Sequence, residues 1–209
     1  MQRQPEDLRV CFIGDSFVAG VGDETALGWT GRLLARSAQA GRPVTGYNLG
    51  IRRDTSSDIR ARFRDEVARR RPPGTDLRLV FSFGANDATA TDDGPRVPAA
   101  TSRENLIHCL DAADAATDAS APPRAPILFV GPPPVHDDEH NRRIMGLNSD
   151  FREICESRGC AFVDVFTTLV DHDIWRRQVR CGDGAHPRSE GYAALSELVV
   201  PAWDSWLHG

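Results

Sequence analysis

The chain has 209 residues, 40% of them hydrophobic and 26% charged, a composition that suits a globular chain with one sizeable core and excludes a fibrous or disordered one. Its formal net charge is −5 and its arginines are scattered, which argues against a nucleic-acid binder. No apolar run is long enough to cross a bilayer, and the polar start "MQRQPEDLRV" lacks a signal-peptide core, so a cytoplasmic protein without a membrane span is expected. Five cysteines, an odd number, read as reduced thiols rather than as a disulfide framework.

In chain order, "LRVCFIG" (8–14) reads as a buried strand and "GWTGRLLARSAQAG" (28–41) as a helix ended by Gly41. A second strand follows over 43–50. A helix from Ser56 to Arg71 carries Ile59, Phe63 and Val67 at four-residue spacing and stops at Pro72-Pro73. A third strand is expected over 76–84, then a helix from Ser102, as N-cap, to Ala119. A fourth strand over 125–131, a helix over 141–158, a short fifth strand over 160–166 and a helix over 189–207 complete the pattern. Strands alternating with helices of these lengths make βαβ units, hence a five-stranded parallel sheet with helices on both faces. The Pro-rich stretches are too short to be linkers, so residues 1–209 are expected to form a single domain.

Ligands of an open parallel sheet sit beyond the carboxyl ends of its strands. There the sequence places Gly14-Asp15-Ser16 after the first strand, Gly50 after the second, "FGANDAT" after the third, and "CGDGAHPRSEGY" before the last helix. These residue types suit acyl transfer. Ser16 is a hydroxyl nucleophile that needs a base, and His186 is a base whose ordinary pKa lies near neutrality. Asp183, three residues earlier, can hold the far imidazole nitrogen and stabilise the imidazolium. The N–H groups of Ser16 and Gly50 and the Asn86 carboxamide are neutral donors for a developing oxyanion. Gly14 is expected to supply a positive φ to the turn, and Gly184 to let the His186 loop turn.

These four blocks resemble the SGNH hydrolases, or GDSL-type esterases and lipases. Ser16 stands in "GDSF", Gly50 in "NLGIRRDTSSD", Asn86 in "GAND" and His186 in "DGAH", in family order from 14 to 186. The resemblance implies a flavodoxin-like three-layer α/β/α sandwich, a Ser16–Asp183–His186 triad, and Ser16, Gly50 and Asn86 as oxyanion hole. Phe17 replaces the leucine of the family motif.

The expected activity is metal-independent hydrolysis of a small-molecule ester through an acyl-enzyme, without a cofactor. A non-catalytic ligand-binding domain and an acyltransferase using the same triad are the alternatives. Phe17 and Val18 are candidate substrate-binding residues, with Trp29 either in the acyl pocket or in the core. Asp15 and Asp87 are expected to brace loops and Asp54 and Asp58 to start a helix. His136 and His140 stand four apart in "HDDEHN" (136–141) with three acids between them, which suggests a metal site, but this is no H-E-x-x-H motif and the Pro-rich lead-in favours a solvated loop, one that could border the substrate because it follows the fourth strand at the same rim. The segments around the cleft mix few apolar with many polar residues and hold no long apolar lid, which favours short-chain or acetyl esters over triglycerides.

Overall fold

The computed structural model describes residues 7–115 and 126–208. Residues 116–119 of the expected third helix, and the first residue of the expected fourth strand, lie outside that range.

The chain runs β1 (Leu8–Gly14), α1 (Ser16–Ala19), α2 (Gly28–Gln39), β2 (Thr45–Gly50), α3 (Ser56–Ala68), β3 (Asp76–Ser82), β4 (Ala90–Thr91), β5 (Gly94–Pro95) and α4 (Ala99–Ala115). It continues with β6 (Ile127–Val130), α5 (Asp138–Ser157), β7 (Ala161–Val163), α6 (Phe166–Leu169), α7 (Asp173–Cys181) and α8 (Ser189–His208). Five strands form a parallel sheet in the order β2-β1-β3-β6-β7, and β4 and β5 form a separate two-stranded ribbon. This is the flavodoxin-like order, in a three-layer α/β/α arrangement with helices on both faces. On those faces α2 packs on α8, while α3, α4 and α5 pack in succession.

β1 can lie inside the sheet, between β2 and β3, because its run from Val10 to Ile13 is apolar: Val10, Cys11, Phe12 and Ile13 are all fully buried. The register aligns its last residue, Gly14, with Gly50 of β2 and Ser82 of β3. The chain leaves β1 for β2 on one side and later crosses to β3 on the other, so the crevice opens where the strand order reverses. An aromatic ladder fills the core beneath β3 and β6: Phe83 meets Phe129 and Phe151 edge-on at 5.1 and 5.7 Å.

Several elements differ from the sequence reading. α4 starts at Ala99 rather than at Ser102, whose hydroxyl instead donates to Asp87 Oδ2 at 2.7 Å inside the helix. α5 starts at Asp138, capped by Asp137, which accepts His140 N at 2.6 Å, so of "HDDEHN" only His136 and the cap Asp137 precede the helix and 138–141 form its first turn rather than a loop. β7 is only three residues, because the chain turns into α6 directly afterwards. α7 carries no strong sequence signal: its N-cap is His172, whose Nδ1 accepts Trp175 N at 3.3 Å.

Candidate active site

Ser16 opens α1 at the end of β1 and is 4% exposed. Asp15 caps this short helix by accepting Phe17 N at 2.9 Å, and Gly20, in the left-handed conformation, ends it. Two glycines make room for it by close approach. A Cβ on Gly14 would lie 2.1 Å from the Ser82 carbonyl oxygen, and one on Gly50 would lie 2.2 Å from Ala19 N and 2.7 Å from Asp15 O. Gly14 is not among the positive-φ residues, so its requirement is space and not the left-handed backbone expected from the sequence.

The His186 loop returns from α7 to the same place. Asp183 Oδ1 accepts the backbone N–H of Ala185 at 3.1 Å and of His186 at 2.9 Å, and Gly184 turns the chain at φ +83°. Asp183 Oδ2 accepts His186 Nδ1–H at 2.7 Å, which leaves Nε2 unprotonated to accept the Ser16 hydroxyl at 2.8 Å. Burial pushes the Asp183 carboxyl upward, but hydrogen bonds from the His186 backbone and ring and from Ala185 outweigh it and hold the pKa at about 2. Its outer side faces Arg52, 3.5 Å from Oδ2.

Across the crevice, Asn86 follows β3 in a turn. Its Nδ2 donates to the Asp54 carbonyl at 2.9 Å and lies 3.4 Å from Asp15 Oδ2. The first bond occupies one N–H, and the second is long enough to yield its hydrogen to a better acceptor. The Gly50 N–H donates to Asn48 Oδ1 at 3.0 Å, so an incoming oxyanion would have to share it. Asn48 itself is fixed by donation from Nδ2 to the Val18 carbonyl at 2.7 Å and to Thr30 Oγ1 at 3.1 Å.

Ser16, His186 and Asn86 open on a cavity of about 280 Å3 whose walls include Phe17, Thr89 and His140. The Phe17 ring packs 5.0 Å from the His186 imidazole and stacks on Trp175 at 6.2 Å. Val18 is fully buried and packs inward rather than lining this cavity. Trp29 is fully buried as well, with Nε1 donating to the Phe17 carbonyl at 3.1 Å, and belongs to the core. A wider polar groove of about 650 Å3, bounded by Arg176, Arg177, Arg180 and Asp171, shares Val135 and His136 with the first.

The structure thus brings Ser16, Asp183 and His186 into one hydrogen-bonded chain, with Asn86 on the same cavity and Gly50 against the Ser16 helix. Asp87 braces as the sequence implies, accepting Ser56 N at 2.7 Å, and Asp58 helps start α3 by closing a capping box with Thr55; Asp54 does not start that helix, whose N-cap is Thr55, and pairs with Arg62 at 2.6 Å instead. Asn48 sits inside a strand pattern that marks no role for it. His140, read in the sequence only as part of a segment that could border the substrate, does line the cavity, but its bond to the Ala85 carbonyl is not encoded in its spacing.

The model of the GDSL-like lipase/acylhydrolase family matches residues 12–194. The chain belongs to that family. It is a hydrolase of carboxylic esters. No curated protein sequence matches it. Among solved structures it is similar to a lipase/acylhydrolase from Enterococcus faecalis, with 25% identity, a TM-score of 0.74, and coverage of 93% of this chain and 94% of that one. It is also similar in fold to the acetylxylan esterase Axe2 from Geobacillus stearothermophilus (16% identity, TM-score 0.71, 95% and 94% covered). A third such structure is the psychrotrophic esterase EstA from Pseudoalteromonas sp. (19%, 0.71, 97% and 100%). Among the described residues no helix is long and apolar enough to cross a membrane.

Proposed function

We propose that the chain hydrolyses short-chain acyl or acetyl esters through a covalent acyl-enzyme on Ser16. The observation that carries this reading is the unbroken chain Ser16 Oγ–His186 Nε2–Asp183, at 2.8 and 2.7 Å. His186 Nε2 takes the Ser16 proton as Oγ attacks the ester carbonyl, and Asp183 balances the imidazolium. The negative oxygen is received by Ser16 N–H and Asn86 Nδ2–H, with Gly50 N–H released from Asn48. Collapse breaks the ester C–O bond, the imidazolium gives its proton to the leaving alkoxide, and water repeats the sequence to free the acid and Ser16.

The small cavity limits the acyl side, and the polar groove beyond His136 suits a hydroxylated alcohol. Acetylated carbohydrate is therefore the favoured substrate class, in keeping with the fold shared with an acetylxylan esterase. A fluorophosphonate probe tests the chemistry: stoichiometric labelling of wild type, absent in Ser16→Ala together with a loss of roughly 10⁴-fold or more in kcat. Unlabelled wild type would instead indicate a ligand-binding domain. Activity falling with chain length across p-nitrophenyl esters, alongside acetate release from acetylated sugars, tests the substrate.

A further inference from the structure

The start of α5 takes no part in the reaction above, yet it is tied to two of the segments that border the cavity, the His186 loop and the Asn86 turn. His136 N donates to the Gly184 carbonyl at 2.9 Å, on the His186 loop. Asn141 closes a two-bond clasp on Val135, each bond 2.8 Å. Arg143 Nε donates to the Ala88 carbonyl at 2.7 Å, and His140 Nε2 lies 2.7 Å from the Ala85 carbonyl oxygen. The last two contacts grip the ends of the turn that carries Asn86.

We propose that His140 is a positioning residue for Asn86: its Nε2–H, donated to the Ala85 carbonyl, fixes the peptide from which the oxyanion-binding carboxamide projects. This rests on the acyl-transfer reading given above. The Ala85 carbonyl and the Asn86 N–H belong to one planar unit, so holding the oxygen sets where the Asn86 side chain starts. Gly84, at φ +122°, is conformationally permissive, and the turn's own bonds, Ala88 N to the Gly84 carbonyl at 3.3 Å and Thr89 N to the Asn86 carbonyl at 3.2 Å, leave the Ala85 carbonyl to be held by His140. α5 can supply it, since Ile144, Leu147 and Phe151 anchor the helix in the core and Asp137 caps its first turn. A carbonyl accepts only, so Nε2 must carry the proton. Burial lowers the ring's pKa below its ordinary value, against the opposing pull of the Ala85 bond, which keeps the ring neutral with that proton in place. Displacing an oxyanion donor by a fraction of an ångström weakens the transition state while leaving substrate binding largely intact.

His140 could alternatively be a space-filling wall, and the donor separates the two roles. His140→Phe keeps a ring and loses the N–H, whereas His140→Gln places an amide N–H at the Nε2 position. With p-nitrophenyl acetate, H140F is expected to lose about 10–100-fold in kcat with KM within about threefold, and to react with the fluorophosphonate correspondingly more slowly. H140Q is expected to recover most of both. Should H140F fail to fold, H140N replaces it in the comparison, because Asn cannot reach the carbonyl. Equal activities in the donor and donorless variants would overturn the assignment. A wild type inert to the probe would overturn the acyl-enzyme reading itself, a different result.

Discussion

Asp15 stands next to Ser16 with 1% of its surface exposed, and burial pushes its pKa up to about 7, with Asp87 and Asp54 adding to the rise and the Phe17 N–H opposing it. A carboxyl whose pKa is higher folded than unfolded binds extra protons in the native state, so its contribution to stability falls as pH rises from about 4 to about 7. Asp15→Asn removes that dependence. The difference in Tm between D15N and wild type is expected to become more positive from pH 4 to pH 8, and a difference that stays flat would contradict the burial account. Asp183 has the opposite sign: its stabilising bonds are present above the ordinary carboxylate range and are lost as pH falls toward 2. At Asn86 the prediction is kinetic. On the proposed acyl-enzyme reading, Asn86→Ala removes a donor that serves only the transition state, so kcat is expected to drop by about 10²–10³-fold with little change in KM.

Two helices meet the site through one buried acid. Asp87, fully buried, accepts the N–H of Ser56 at the start of α3 and the hydroxyl of Ser102 in the first turns of α4. Removing it orphans buried donors, so Asp87→Ala is expected to cost about 2–4 kcal/mol in urea unfolding, and Asp87→Asn, which keeps an acceptor, distinctly less. Element boundaries show where the sequence is ambiguous. The helical spacing of Ile59, Phe63 and Val67 and the Thr55–Asp58 box make α3 readable, because periodicity and cap agree. Ser102 looks like an N-cap by residue type, but its hydroxyl answers Asp87 from another segment, which local pattern does not contain. α7 starts on a histidine and buries only Trp175 and Val179, too few positions for a periodic signal.

For the whole molecule, the decisive feature is register. Gly14, Gly50 and Ser82 end their strands side by side, so three loops separated by some thirty residues each enter one crevice. The alternation of strands and helices makes the sheet legible, and the four motif blocks make Ser16, Asn86, Asp183 and His186 legible as a group. What stays hidden is reach between segments: the Asn48 bond to Gly50, the His140 bond to Ala85, and the inward turn of Val18 all depend on packing that one-dimensional spacing does not encode. The core behind the crevice belongs to the same scale. Phe151→Ala would open a void among Phe83 and Phe129 and is expected to cost about 3–5 kcal/mol in denaturant unfolding.

The decisive measurement is a crystal structure of the protein after reaction with a fluorophosphonate. Phosphorus is expected bonded to Ser16 Oγ, with one phosphoryl oxygen within hydrogen-bonding distance of Ser16 N and Asn86 Nδ2 and His186 Nε2 beside the departing position. An adduct on another residue, or one on Ser16 whose oxygen points to solvent away from Asn86, would contradict it.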